Sequence, residues 1–301
     1  MSDTSVDARA RPRRSVLAVP GSSPRMLAKA ATLPADEVFL DLEDAVADPA
    51  KAEARENVVR AIAEGDWGDR LLAVRINAMR SPWYRDDLDA VLSRAARRLD
   101  AVIVPKVETA EQVRDLAGVM TAAGSGAALE VQIETALGLM NVEAIAAGSD
   151  RLAALHFGPA DMSASLGMPA LTAGGLAADY PGDQWHAVLV RILVAARANG
   201  LQALDGPHLA LGDPDGLRAA ALRVRVLGYD GKWAIHPAQL EVINEAFSPT
   251  EEEVERAREI LAALEAASTA GVGAVRHGGE MLDEANRRMA ERVLARAGAA
   301  R

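Results

Sequence analysis

The chain reads as an α/β protein, a closed (β/α)8 TIM barrel with a C-terminal helical appendage. Three observations predict this. Eight apolar runs of strand length recur between residues 15 and 235, most of them followed by a helical pattern. Most runs are nearly continuous in Val, Ile, Leu and Ala, as parallel strands covered on both faces require. Residues able to do chemistry gather at the C-terminal ends of the runs, the face on which such barrels carry their sites.

The runs, in order, are Ser15–Val19, Val38–Leu42, Leu71–Ile76, Ala101–Pro105, Leu129–Ile133, Leu152–Phe157, Gln202–Leu204 and Lys232–Ile235. The helices between them are rich in Ala, Leu and Arg, for example Asp87–Leu99 and Trp185–Ala198, the second stopped by Asn199-Gly200. Residues 1–14 are polar and basic and are expected to form a disordered arm; residues 15–247 form the barrel and 248–301 the appendage. The appendage begins with Ser248 or Thr250 as a cap and three acids in the first helical turn, where the helix dipole favours them. Its first helix runs to about Ala267 and is followed by a Gly-rich link over residues 270–279. A last helix is expected from Asp283 to Ala297, with Gly298 as its stop.

Composition limits the function. Thirty-three basic against 43 acidic residues leave a net charge of −10, which disfavours nucleic acid and anionic membranes as partners. An anionic ligand must be met by local Arg, Lys or metal. The absence of Cys excludes disulfides, thiol catalysis and thiolate metal sites, and fits a cytoplasmic protein. The short apolar run after residue 14 is too brief for a signal peptide, and no run approaches membrane-spanning length.

Two successive runs each deliver an acid: Glu134 closes the fifth, and Asp161 follows the sixth after Gly158-Pro159. Neighbouring parallel strands lie about 4.8 Å apart, so both carboxylates can reach one hard cation such as Mg²⁺, which takes one or two carboxylates and leaves its other positions to water and substrate. The bland alternative is a pair of solvated acids. Arg75, between Val74 and Ile76, suits capture of a carboxylate or a developing enolate oxygen, or else a salt bridge to Glu43 or Asp44. The cluster of Asp41, Glu43 and Asp44 is expected to supply at least one partner for Arg75 or Lys106, with Glu43 and Asp44 as supporting catalytic candidates. His236 lies at the barrel mouth, whereas His156 reads as a buried structural residue. Lys29 is most simply a solvated charge, with a phosphate contact as its functional alternative.

These residues resemble the HpcH/HpaI aldolase and citrate lyase superfamily, in particular its CoA-ester lyases of the malyl-CoA/β-methylmalyl-CoA lyase and citrate lyase β subunit kind. The matching blocks are Ser15–Lys29, Glu37–Val46, Val74–Asn77, Val104–Val107, Gln132–Leu139, Phe157–Ser163, Leu204–Pro207 and Gly231–Pro237. The resemblance implies a Mg²⁺-dependent, reversible Claisen-type cleavage of a 3-hydroxy-3-carboxyacyl-CoA to an acyl-CoA and a 2-keto acid. It implies Glu134 and Asp161 as metal ligands and Arg75 as stabiliser of the enolate. Ala160 and Asp161 would bind the keto acid, and Lys29, Ile235 and His236 the CoA-bearing substrate. In relatives of the malyl-CoA lyase type, an Asp of the appendage enters the neighbouring subunit's site as acid/base; Asp283 is the candidate, which implies a homo-oligomer, a trimer or hexamer. The rival readings are a pyruvate-releasing aldolase without CoA and a catalytically idle CoA- or keto-acid-binding subunit of a citrate-lyase-like complex.

Overall fold

Eight parallel strands close on themselves, each within one residue of its expected run at either end: β1 Ser15–Pro20, β2 Glu37–Asp41, β3 Leu71–Arg75, β4 Ala101–Val104, β5 Ala128–Ile133, β6 Leu152–Phe157, β7 Gln202–Asp205 and β8 Gly231–Ala234. β1 pairs with both β2 and β8, which shuts the barrel and leaves no free edge. The computed structural model describes residues 11–95, 98–169, 181–269 and 271–299. It divides into two units, Met1–Ala246 and Phe247–Arg301. Among the described residues no helix is long and apolar enough to cross a membrane.

Strand alternation sorts the barrel interior into layers, because every second side chain points the same way. On β2 the inward series is Glu37, Phe39, Asp41; on β5 it is Glu130, Gln132 and then Glu134 just past the strand end. The middle layer is apolar and includes Phe39, Ile103 and Trp233, with the Phe39 and Trp233 ring centroids 4.6 Å apart. Burying such aromatic surface contributes several kcal/mol at about 25 cal/mol per Å².

Beneath it lies a fully buried polar layer. Arg13 donates from Nε to Glu37 and from Nη2 to Glu130, both at 2.6 Å. Trp233 Nε1 donates to His156 Nδ1 at 2.8 Å, which leaves Nε2 to carry the proton toward Glu130, also at 2.8 Å. Burial and the Glu130 charge push the Glu37 carboxyl upward. Burial would raise Glu130 too, but Arg13 and His156 outweigh it and hold that carboxyl below its ordinary range. His156 is thus a structural residue, as expected. The disorder expected for residues 1–14, in contrast, does not hold for Arg13 and Arg14. Residues 1–10 lie outside the described residues, but Arg13 is 1% exposed and Arg14 pairs with Asp36 at 2.8 Å. The basic character that suggested disorder is what two interior carboxylates recruit.

Two helical expectations and one for a link change. The segment expected as one helix over Asp87–Leu99 is an α-helix at Tyr84–Ala90 that widens into a π-helical turn at Val91–Ala95. The link over residues 270–279 and the four residues after it are not featureless. β9 Val275–His277 and β10 Glu280–Leu282 form an antiparallel hairpin turned by Gly278 and Gly279, both at positive φ. The last helix, Glu284–Ala299, runs through Gly298 instead of stopping there, since a glycine terminates a helix only when its backbone turns left-handed.

Candidate active site

The C-terminal ends of β2 to β6 converge on one charged cluster. Asp41 and Arg75 are register partners on β2 and β3, and their side chains form a two-pronged pair: Nε to Oδ1 and Nη2 to Oδ2, each 2.7 Å. Burial raises the tendency of Asp41 to hold a proton, but the guanidinium overcomes it and keeps the carboxyl below its usual range. Burial likewise works against the Arg75 charge, yet Asp41, Glu43 and Glu134 more than compensate. Arg75 is therefore a permanent buried cation. It also lies over the middle layer, 5.4 Å from the Trp233 ring centroid and 5.6 Å from that of Phe39.

Arg75 Nη1 is the edge not committed to Asp41. It reaches Glu43 Oε2 at 3.1 Å, without the alignment of a hydrogen bond, and Gln132 Oε1 at 3.4 Å. Gln132 in turn donates from Nε2 to Glu134, so one amide links the cation to the buried acid. The loop carrying Glu43 is itself held down: buried Lys51 donates to the carbonyls of Leu42 and Glu43, both at 3.0 Å.

Glu134 is 1% exposed and accepts from the Lys106 backbone N–H at 2.9 Å. Burial, aided by the charges of Glu43 and Asp161, pushes its carboxyl up to about 8. Asp161 does not end its strand: it sits in the first turn of the helix Pro159–Ser165, with its side chain a third exposed. Gly158, the residue before that helix, packs against Glu134. A Cβ there would lie 2.6 Å from the Glu134 Cβ and overlap its Oε2, so only glycine lets β6 approach so near.

Lys106 completes the cluster from the end of β4. Its Nζ lies 2.6 Å from Glu43, 3.5 Å from Asp161 and 3.6 Å from Asp44. Among the described residues it is the one non-glycine with a left-handed backbone, φ +54, a conformation that costs about 1–2 kcal/mol for a side-chain-bearing residue.

Five carboxyl groups, Asp41, Glu43, Asp44, Glu134 and Asp161, share two cations, Arg75 and Lys106. A buried acid resisting ionisation, an unbonded Glu43 oxygen and this charge deficit together suit a divalent cation with hard oxygen ligands. Among the described residues no group of three or more His, Cys, Asp or Glu side chains is placed to enclose a metal. A two-carboxylate arrangement leaves the remaining positions to water and substrate.

The expected residues Arg75, Glu43, Asp44, Glu134 and Asp161 are thus gathered at one mouth. Ala160 precedes Asp161 in the same helical turn. Lys29 is exposed in the last turn of the helix Pro24–Ala30, and Ile235 and His236 are exposed just beyond β8; no bond from their side chains into the cluster is formed. Asp283 belongs to the second unit, where it caps the helix Glu284–Ala299 by accepting from Ala285 N at 2.8 Å and Asn286 N at 3.4 Å. Asp205, at the seventh strand end, is taken up by a buried pair with Lys232 at 2.5 Å. Sequence reasoning did not single out Gln132, and it placed Lys106 only as a strand-end partner for the acids, with no site role. The alternation of Glu130, Gln132 and Glu134 along an apolar strand was the available signal for Gln132; the strand-end position marked Lys106, but no local signal marks its left-handed backbone.

Residues 14–237 match the model of the family described as HpcH/HpaI aldolase/citrate lyase, and residues 205–299 that of a C–C bond lyase of the TIM-barrel fold. The chain is 42% identical to an L-malyl-CoA/beta-methylmalyl-CoA lyase of Cereibacter sphaeroides, over 96% of this chain and 95% of that protein. It is 38% identical to a (3S)-malyl-CoA thioesterase of the same organism, with the same coverage of each. Among solved structures, CitE of Mycobacterium tuberculosis in complex with magnesium, acetoacetate and coenzyme A superposes with a TM-score of 0.79 at 33% identity, covering 97% of this chain and 99% of that one. On its barrel, its match to the family model and its curated relatives, the chain belongs to the HpcH/HpaI aldolase/citrate lyase family of carbon–carbon lyases.

Proposed function

We propose that the protein is a Mg²⁺-dependent CoA-ester lyase. It reversibly cleaves a 3-hydroxy-3-carboxyacyl-CoA of the malyl-CoA kind into an acyl-CoA and a 2-keto acid such as glyoxylate. The observation that carries this reading is the junction of a permanent buried cation, Arg75, with a buried, proton-retaining acid, Glu134, through Gln132. A metal complex of the mycobacterial relative and the names of the malyl-CoA lyases support it.

Glu134 and Asp161 would hold the ion, which when bound polarises the keto-acid oxygens as a Lewis acid. Arg75 serves the other fragment. Breaking the carbon–carbon bond leaves an electron pair on the thioester enolate, and Nη1, the guanidinium edge left over by Asp41, presents fixed positive charge to that oxygen. Asp41 prevents the guanidinium from swinging, while Glu43 and Asp44 act through Arg75 and Lys106, whose charge they share. The Ala160–Asp161 segment would meet the keto-acid carboxylate. Lys29, Ile235 and His236, all on exposed surface, would contact the CoA moiety. Asp283, delivered by a neighbouring copy in a homo-oligomer, would act as acid/base, taking the 3-hydroxyl proton as the carbon–carbon bond breaks and returning a proton to the enolate carbon, so that the overall cleavage neither gains nor loses one.

The test is a coupled assay of acyl-CoA, keto acid and free CoA with malyl-, methylmalyl-, citramalyl- and citryl-CoA, with and without Mg²⁺. Stoichiometric acyl-CoA and keto acid, lost on chelation, is the expected result. Release of free CoA without keto acid would favour thioester hydrolysis, the activity named in the 38% identical relative. No turnover of any thioester by the purified chain would favour a non-catalytic subunit.

A further inference from the structure

Lys106 adopts a backbone conformation that glycine would take freely, yet the position carries the cluster's one ammonium, on a flexible four-carbon stem. The left-handed turn accomplishes two things that no other single residue in the cluster does. It aims the backbone N–H at Glu134 Oε1, 2.9 Å away, and it returns the side chain over the mouth so that Nζ bonds Glu43 at 2.6 Å and stands 3.5 Å from Asp161. One residue thereby touches both proposed metal ligands, the first through the main chain and the second through charge. The 2.6 Å contact to Glu43 is a full charge-assisted hydrogen bond, whereas the 3.5 Å approach to Asp161 is a looser ion pair, so the ammonium can release Asp161 while remaining anchored.

Resting on the metal reading above, we propose that Lys106 is a positioning residue and an exchangeable counter-ion. Its N–H keeps Glu134 aimed, and its ammonium neutralises Asp161 until a divalent cation replaces it there, after which the ammonium stays with Glu43. Lys106 is then a competitor for the metal as well as a builder of its site. A lysine with only a structural role would make its neutral replacement bind metal less well or equally; a competing charge makes it bind better.

The experiment is calorimetric titration of the metal-free full-length protein with MgCl2 at pH 8, comparing wild type with K106M, K106Q and K106G, and using E134Q and D161N as references. The neutral variants keep the N–H and lose the ammonium, so Mg²⁺ affinity should rise about fivefold or more, as removal of a like charge a few ångströms away requires. K106G should also melt above K106M, because it takes the left-handed φ without strain. The two neutral side chains guard against one of them being poorly folded. Unchanged or weaker Mg²⁺ binding in folded K106M and K106Q, with binding lost in E134Q and D161N, overturns the role of Lys106 and leaves the metal site standing. Unchanged binding in E134Q and D161N overturns the metal assignment and this inference with it.

Discussion

Asp41 spends both of its oxygens twice: each accepts one hydrogen bond from the Arg75 guanidinium at 2.7 Å and one backbone N–H, from Glu43 at 3.0 Å or Ala45 at 3.1 Å. The residue therefore sets the direction of the Arg75 cation, proposed above to stabilise the enolate, and the path of the loop that carries Glu43 and Asp44. Asp41→Asn keeps the volume but turns one acceptor into a donor facing a buried positive charge. Breaking a buried pair in this way costs about 3–5 kcal/mol, or a melting temperature lower by about 10 °C. Turnover at a temperature where the variant is folded should fall at least about 100-fold. A wild-type melting curve and wild-type kcat for this variant would remove Asp41 from both roles.

Gly158 gives a steric prediction with an internal control. A methyl group there meets the Glu134 side chain, so Gly158→Ala should weaken Mg²⁺ binding and lower lyase activity by about two orders of magnitude. Gly118, in the helix Ala110–Ala122, has nothing within 4 Å of its added Cβ; Gly118→Ala should leave activity unchanged and stabilise by up to about 1 kcal/mol. Parallel activity and melting measurements on the two variants check the pair.

The polar layer beneath the aromatic rings makes stability depend on pH with a definite sign. Glu37, pushed up by burial and Glu130, has a folded value above its ordinary 4.5. Its contribution is fully present below pH 4.5 and is lost as pH rises through the higher folded value. Glu130 is held low by Arg13, so its contribution is present above pH 4.5 and lost as pH falls toward its folded value. Glu37→Gln, which cannot ionise, should flatten the loss on the alkaline side and leave the acid side in place. Melting curves from pH 4 to 10 would show this, and equal alkaline slopes for variant and wild type would contradict it.

Asp283 has a local duty, capping the helix Glu284–Ala299, beside the proposed acid/base role. The two separate by substitution. Asp283→Asn and Asp283→Ser keep a capping oxygen and should cost only tenths of a kcal/mol, against about 1 kcal/mol for Asp283→Ala. All three should abolish turnover while keto-acid binding survives. If Asp283→Asn or Asp283→Ser turns over normally and only the Ala variant loses activity, Asp283 acts as a cap alone.

The barrel was legible because each strand is a near-continuous apolar run bounded by polar segments, and strand spacing does not depend on side-chain detail. The acids and Arg75 were legible from their place at strand ends. Partnership was legible in part: Glu43 and Asp44, the expected neighbours of Arg75, do lie 3.1 and 3.9 Å from it, but strand register gives the two-pronged pair to Asp41, and register is a tertiary property. Lys106 was legible as a partner of the acids, but its conformation was not, because a left-handed backbone at lysine has no signature in the residues around it. Arg13 escaped because a basic segment outside the strands looks the same whether solvent or two interior acids receive its charge.

Arg13 joins acids that lie 24 and 117 residues further along the chain. A nascent polypeptide that has completed only its first four strands has placed Glu37 but not Glu130, so the guanidinium has one of its two carboxyl partners and is still open to water. Half-barrel fragments lack the Arg13–Glu130 bond, so this layer of the interior has its full set of partners only once the fifth strand has joined the ring.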